Sequence, residues 1–225
     1  MEHPILFLDL FFGKFGLHIP PHLSYAVLVS LILLGLGWLA GRQTTLVPKG
    51  AQNVFELIVG GLEEFMVDVT GEEGRAFFPF IASVFLFILG CNLIGLLPGF
   101  LSPTSNINTT LALALCTFFY THYLGIKYHG VKYIKHFLGP IPALAPLFFI
   151  IELVGHFARV LSLTLRLFGN IMGEDIVLTI LLLLAGMFLA PLPMMFLAVF
   201  TSVVQAFVFT LLSMMYFAGA MEHAH

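Results

Sequence analysis

Charge is what this chain has least of: charged residues make up 9% of its 225 positions, where an ordinary soluble domain carries about 25%. Nine Lys plus Arg against twelve Asp plus Glu leave a net charge of -3, so there is no basic face for nucleic acid. Cysteine is almost missing as well. Cys91 and Cys116 both sit inside apolar runs, with a spacing that fits neither a structural zinc set nor a disulfide framework, and both read as small buried hydrophobes. No Gly-x-Ser-x-Gly elbow occurs, and neither half resembles the other as an inverted-repeat transporter would require. Glu2 and Asp9 belong to an N-terminus with little positive charge, the wrong n-region for a cleaved secretory signal. The first apolar segment is therefore expected to be kept as a span.

Long hydrophobic runs take the place of charge. Hydrophobic residues are 60% of the chain and the mean hydropathy is +1.04. Ala76 to Ile126 is a run of 51 residues without Asp, Glu, Lys or Arg, and Ile176 to Met221 is another of 46. A bilayer-crossing helix needs about 20 such residues. The expected fold class is an all-α integral membrane protein, a single membrane domain over 1–225, with spans near 23–40, 77–97, 109–127, 143–190 and 194–217. Pro98-Gly99, Pro103, Gly139-Pro140, Pro142, Pro191 and Pro193 punctuate the joints. The tract 143–190 reads either as two short spans or as one helix about 70 Å long, which a hydrocarbon core of about 30 Å admits only at a steep tilt.

Residues 52–70 differ. Phe55, Ile58, Val59, Leu62, Phe65, Met66 and Val69 recur at helical spacing, with Glu56, Glu63, Glu64 and Asp68 opposite. This amphipathic helix is expected along the membrane surface or, given its acidity, docked on a neighbouring protein helix. Orientation follows from the cations: Arg42, Lys49 and Arg75 flank that helix, Lys127, Lys132 and Lys135 follow the third span, and only Lys14 falls on the opposite side. By the positive-inside rule the N-terminus faces outward and the two basic loops face the cytoplasm; with five crossings the C-terminus is cytoplasmic too.

The chemistry lies in the tract 143–190. Intramembrane charge is costly, about 2.5 to 3.5 kcal/mol for an arginine on insertion scales, yet Glu152, His156, Arg159, Arg166, Asn170, Glu174 and Asp175 all occur there. At about 100° per residue, Glu152, His156, Arg159, Ser162, Arg166 and Asn170 share about 120° of arc in a stripe about 27 Å long. Asp175 falls off it. The last helix has a weaker counterpart in Thr201, Gln205 and Tyr216. An internal salt bridge such as Glu152 with Arg159 would neutralise one arginine but not two. A carboxylate from elsewhere is then needed, and a line of polar residues through half a bilayer suggests a water-filled path for ions.

Leu165-Arg166-Leu167-Phe168-Gly169-Asn170, with Ser162 four residues earlier, resembles the signature of subunit a of F-type rotary ATP synthases. Three further stretches are similar in order and spacing: Asn92-Leu93-Ile94-Gly95-Leu96-Leu97-Pro98-Gly99, Pro103-Thr104-Ser105-Asn106-Ile107-Asn108-Thr109-Thr110-Leu111, and Gln205-Ala206-Phe207-Val208-Phe209-Thr210-Leu211-Leu212. The resemblance implies five crossings plus the amphipathic helix, with the last two helices long, steeply tilted and set against a ring of c subunits. It makes Arg166 the essential arginine facing the ring carboxylate. Asn170, Asp175 and Gln205 would line an outer half-channel, and Glu152, Arg159 and Ser162, with His156, an inner one. Peripheral-stalk b subunits and lipid are the other implied neighbours. The chain would be no enzyme by itself and would need no cofactor or metal; its place would be a bacterial inner membrane. Many members carry His or Glu seven residues before the glutamine of the last helix, where this chain has Ala198; Glu174 beside Asp175 is the expected substitute.

Two alternatives remain, one implied by the resemblance and one by composition. A sodium-moving member of the same family would look alike, because the ion-binding carboxylate lies on the ring. A haem protein could use the nine histidines, although only His122 and His156 lie well inside spans. The topology has a direct test: in a chain lacking its native cysteines, Ser105→Cys should be labelled from outside and Lys132→Cys from the cytoplasm. Labelling of both from one side would overturn the assignment.

Overall fold

A computed structural model of the chain describes residues 19–42, 51–97, 99–130, 133, 144–185 and 191–221. The expectations resting on Glu2, Asp9, Lys14, Lys49, Pro98, Lys132, Lys135, Gly139, Pro140 and Pro142 lie outside them. The described residues form helices α1 (Pro21–Arg42), α2 (Ala51–Thr70), α3 (Phe78–Ile94), α4 (Ile107–His129), α5 (Ala145–Ala185) and α6 (Pro191–Met221), with 3-10 turns at Glu72–Phe77 and Pro103–Ser105. No strand occurs among the described residues. Five of the helical segments are long and apolar enough to cross a membrane. The protein is a multi-pass membrane protein.

The tract that read two ways is one helix. α5 runs unbroken for 41 residues, about 60 Å at 1.5 Å per residue, so a core of about 30 Å holds it only at a steep tilt. Gly155, Gly169 and Gly173 do not interrupt it, and each has open space where a Cβ would project. The described part of the helix ends at Ala185, the expected stretch up to 190 lying outside the described residues, and α6 is described from Pro191, whose missing N–H and fixed φ suit a first helical turn.

α6 is the hub, packing against α2, α3, α4 and α5. Its Phe217 meets Phe77 edge-on at 5.6 Å between ring centroids, and Phe80 stacks on Tyr120 of α4 at 4.4 Å. Aromatic pairs of this kind contribute about 0.5–1.5 kcal/mol beyond their buried area. They tie α3, α4 and α6 into one core with Ile81, Ile88, Leu124 and Met214. The amphipathic helix α2 docks on a neighbouring helix of the same chain. Leu62 and Met66 are buried and Phe65 lies 5.1 Å from Phe207 of α6, while Glu56, Glu64 and Asp68 stay exposed. Arg75 pairs with Glu72 at 3.3 Å and Glu63 at 3.6 Å across the turn that leads into α3.

α1 lies at the edge, touching α3 where Val29 packs with Cys91 and Ile94. Cys91 is fully buried, as expected, but Cys116 is exposed. The apolar run around Cys116 is α4, which has two sides; only one packs on protein, and the cysteine is on the other.

α3 ends at Ile94, short of the expected Leu97, because the chain turns at Gly95 and comes back onto the helix. Ser102 donates to the Cys91 carbonyl at 2.9 Å, Thr104 donates to Asn92 Oδ1 at 2.6 Å, and Asn92 donates to the Ser202 carbonyl of α6 at 3.3 Å. Asn92, Ser102, Thr104 and Ser202 are all buried. Buried side-chain hydrogen bonds of this kind hold a unique geometry, since any partner left unpaired carries the full desolvation cost. Asn106 then caps α4, its side chain accepting from the Asn108 N–H at 2.9 Å. Gly95 sits directly against Ser102, and a Cβ there meets both the side chain and the backbone of that serine. Gly95→Ala should therefore lower stability by about 1–3 kcal/mol, read as a lower midpoint of thermal unfolding in detergent; an unchanged midpoint would show that the loop is free to shift.

Candidate functional site

The helix pair α5–α6 carries most of the candidate residues, and its register can be read from two contacts. The Glu174 carboxylate faces the Thr201 hydroxyl, and the Arg159 guanidinium lies 5.3 Å from the centroid of the Tyr216 ring, a cation–π distance. From the first contact to the second is fifteen residues on each helix, run in opposite directions. The antiparallel register is thus unbroken between them. One turn in from Glu174 and Thr201, on the same faces, Asn170 comes level with Gln205. Arg166 comes level with Phe209.

Toward the α5 C-terminus lies the first polar cluster. Beside Glu174 and Thr201, the Asp175 carboxylate faces the hydroxyl of Ser105, supplied by the 3-10 turn between α3 and α4, against which α5 packs. Ala198 is 1% exposed, so the position lacking a polar partner is closed by a methyl group rather than opened to water.

Toward the α5 N-terminus lies the second. His156 Nε2 stands 3.3 Å from Glu152 Oε1, so the carboxylate that sequence could have paired with Arg159 contacts the histidine one turn away. The His156 ring lies 4.7 Å from His122 of α4, centroid to centroid, and His122 Nδ1 is 2.9 Å from the Tyr133 hydroxyl. Burial, then the Glu152 carboxylate, hold the Tyr133 phenol above its usual pKa, with Arg159 acting the other way. The phenol therefore keeps its proton, and the His122 tautomer sets which of the two groups donates. Thr121, Tyr133, Glu152, His156, Arg159 and Tyr216 line a cavity of about 130 Å³, polar and roomy enough for several waters. His122 and Tyr133 are the residues that the stripe did not contain. The two histidine rings touch each other and leave no slot for a haem between them.

Between the clusters the described interior is apolar. Leu163, Leu167 and Phe209 are buried at the level of Arg166. The hydroxyls that occur there, on Thr164, Thr210 and Ser213, donate to carbonyls of their own helices at 2.8, 2.7 and 2.8 Å. Their protons are taken up within their own helices.

The expected stripe therefore divides. Glu152 is half-buried and His156 buried against α4, whereas Arg159, Ser162, Arg166 and Asn170 are exposed on α5. Their neighbours Leu161 and Leu165 are exposed too, at 55% and 54%. Among the described residues no carboxylate pairs with Arg166, and hydrocarbon cannot solvate a guanidinium.

Residues 23–218 match the family model described as ATP synthase A chain. The chain is 59% identical to "ATP synthase subunit a" of Syntrophobacter fumaroxidans, with 100% of both chains covered. It is 57% identical to the protein of the same name in Desulfosudis oleivorans and 52% to "ATP synthase subunit a 1" of Pelobacter propionicus, again over 100% of each. The register itself makes a prediction. Asn170→Cys with Gln205→Cys should form a disulfide on mild oxidation, while Asn170→Cys with Phe209→Cys should not; the reverse pattern on a non-reducing gel would refute the alignment of α5 with α6.

Proposed function

The chain belongs to the ATP synthase A chain family, and on that premise we propose that it is the stator subunit whose two half-channels and single arginine couple ion flow to rotation of a c-subunit ring. The observation that carries this reading is Arg166. It is exposed, has no carboxylate partner among the described residues, and stands level with the apolar layer that divides two polar clusters.

The chemistry follows from the position. A ring carboxylate facing lipid has its pKa raised by desolvation and stays protonated. As rotation brings it beside Arg166, the cation favours the ionised form and the proton leaves toward the cytoplasm past Arg159 and Ser162, with Glu152, His156 and the water cavity behind them. A proton entering by Asp175, Glu174, Asn170 and Gln205 then reloads the next carboxylate. A guanidinium does not release its own proton at working pH, so it separates the two paths instead of joining them. The polar face of α5 is the side for the ring; peripheral-stalk b subunits and lipid cover other faces. The membrane is a bacterial inner membrane, with N-terminus outside and C-terminus cytoplasmic.

Arg166→Ala should abolish ATP-driven proton pumping and ATP synthesis in inverted vesicles, while passive leak persists or rises. Arg166→Lys should also fail to couple, because an ammonium can lose its proton and lacks the planar fork. Arg159→Lys should be mild, since a cation beside Tyr216 is what that position requires. Complex assembly is checked by blot. Synthesis near the wild-type rate in Arg166→Ala vesicles would refute the mechanism.

A further inference from the structure

The loop that returns onto α3 is built more tightly than a connection needs to be. Its Thr104 and Ser102 are fixed to Asn92, to the Cys91 carbonyl and, through Asn92, to the α6 backbone at Ser202, all in buried surroundings. The Tyr25 hydroxyl donates to the Gly99 carbonyl at 3.2 Å, so α1 holds the same loop from the other side. What this assembly delivers to α5 is the residue next to Thr104. The 3-10 turn that ends on Ser105 packs against α5, which sets the serine on the side of Asp175, and its own hydroxyl donates to the Ser102 carbonyl at 2.8 Å.

We propose that Ser105 is a positioning residue of the outer proton path, held in place by the Asn92–Thr104–Ser102 network and serving Asp175 in both of its protonation states. A serine hydroxyl has one proton and two acceptor lone pairs, and it turns about a single bond. With Asp175 protonated, the carboxyl O–H donates to Ser105 Oγ while the Ser105 proton stays on the Ser102 carbonyl. When Asp175 passes its proton inward, the Ser105 hydroxyl rotates and donates to the carboxylate. Ser102's carbonyl gives up a bond that its second lone pair does not need. The carboxyl thus loses and regains a proton without ever lacking a partner, and no bond other than O–H is made or broken. On α6 the position that could have offered Asp175 a titratable neighbour is Ala198, which is buried; the partner comes from the loop instead. Glu174, facing Thr201, is the other titratable group on this level of α5. Across from it α6 presents Thr201 and Gln205, and the loop presents Ser105.

The inference rests on the reading of Asp175 as part of the outer half-channel, and the test separates the two. Inverted vesicles carrying the whole complex are assayed for ATP-driven proton pumping and, after removal of the catalytic sector, for passive proton conductance. Asp175→Asn probes the reading. Ser105→Ala, Ser105→Cys and Ser105→Thr probe the proposal. Ser105→Ala should slow conductance by about two- to tenfold, the scale of one hydrogen bond. Ser105→Cys, close in size but a weak donor, should be slowed similarly and stands in if the alanine form does not assemble. Ser105→Thr should recover most of the rate, and Ser105→Ala added to Asp175→Asn should slow it no further. A slow Asp175→Asn with wild-type rates in Ser105→Ala or Ser105→Cys would overturn the proposal and leave the reading intact. So would equal slowing of all three Ser105 variants, which would make the site one of packing rather than hydroxyl chemistry. Wild-type conductance in Asp175→Asn would overturn both.

Discussion

Two antiparallel helices can set polar groups at matching depths only while their register is held, and the behaviour of the whole site depends on how α5 and α6 hold theirs. Glu174 facing Thr201 at one level and Arg159 over Tyr216 at another leave no slack between them. Leu163, Leu167 and Phe209 are buried in the stretch that separates those levels. A slip of one residue would rotate each helix face by about 100°, bringing Asn170 off Gln205 and moving polar groups into the apolar layer. The register is what keeps two polar clusters apart inside one continuous helix pair.

The part of this arrangement that is legible in the sequence is the part that depends on one helix at a time. The 3.6-residue repeat places Glu152, His156, Arg159, Ser162, Arg166 and Asn170 on one face, and the i, i+4 spacing of Glu152 and His156 already brings those two into contact. What the repeat lacks is a second body. Which edge of the stripe turns inward depends on where α4 packs, and that contact puts His156 inside against His122 while Arg159 and Arg166 remain outside. Tyr133 reaches His122 from a separate stretch of chain, and Ser105 reaches Asp175 from seventy residues away; neither pairing leaves a periodic trace. The motif around Asn92 and the motif around Thr104 are each visible as strings of residues, but that they are the two ends of one hydrogen bond appears only in three dimensions. Cys116 shows the same boundary in reverse: an apolar run says that a helix is in the membrane, not which of its sides meets protein.

Apparent polarity along a helix is also a poor guide to water. Thr164, Thr210 and Ser213 would extend the polar stripes of α5 and α6 through the middle of the protein if residue type alone were counted. Each is spent on a carbonyl one turn back in its own helix, a bond that short hydroxyl side chains make readily. A hydroxyl used in this way is close to an apolar group for its neighbours. The residues left to bind water are those whose side chains reach past their own helix, such as Asn170, Gln205, Glu152 and Arg159.

The central position of α6 has a mechanical consequence. A body moving past the exposed face of α5 pushes it sideways, and a helix about 60 Å long is a compliant beam when it is supported only at its ends. α5 is instead backed along its length by α6, and α6 is braced in turn by α3, by α4 and by α2. The aromatic contact of Phe207 joins one brace near the middle of the beam, and that of Phe217 joins another toward the end of α6. Lateral load therefore spreads into four helices, and the amphipathic helix, with its apolar side against α6 and its carboxylates outward, acts as a buttress for the wall that α5 and α6 form.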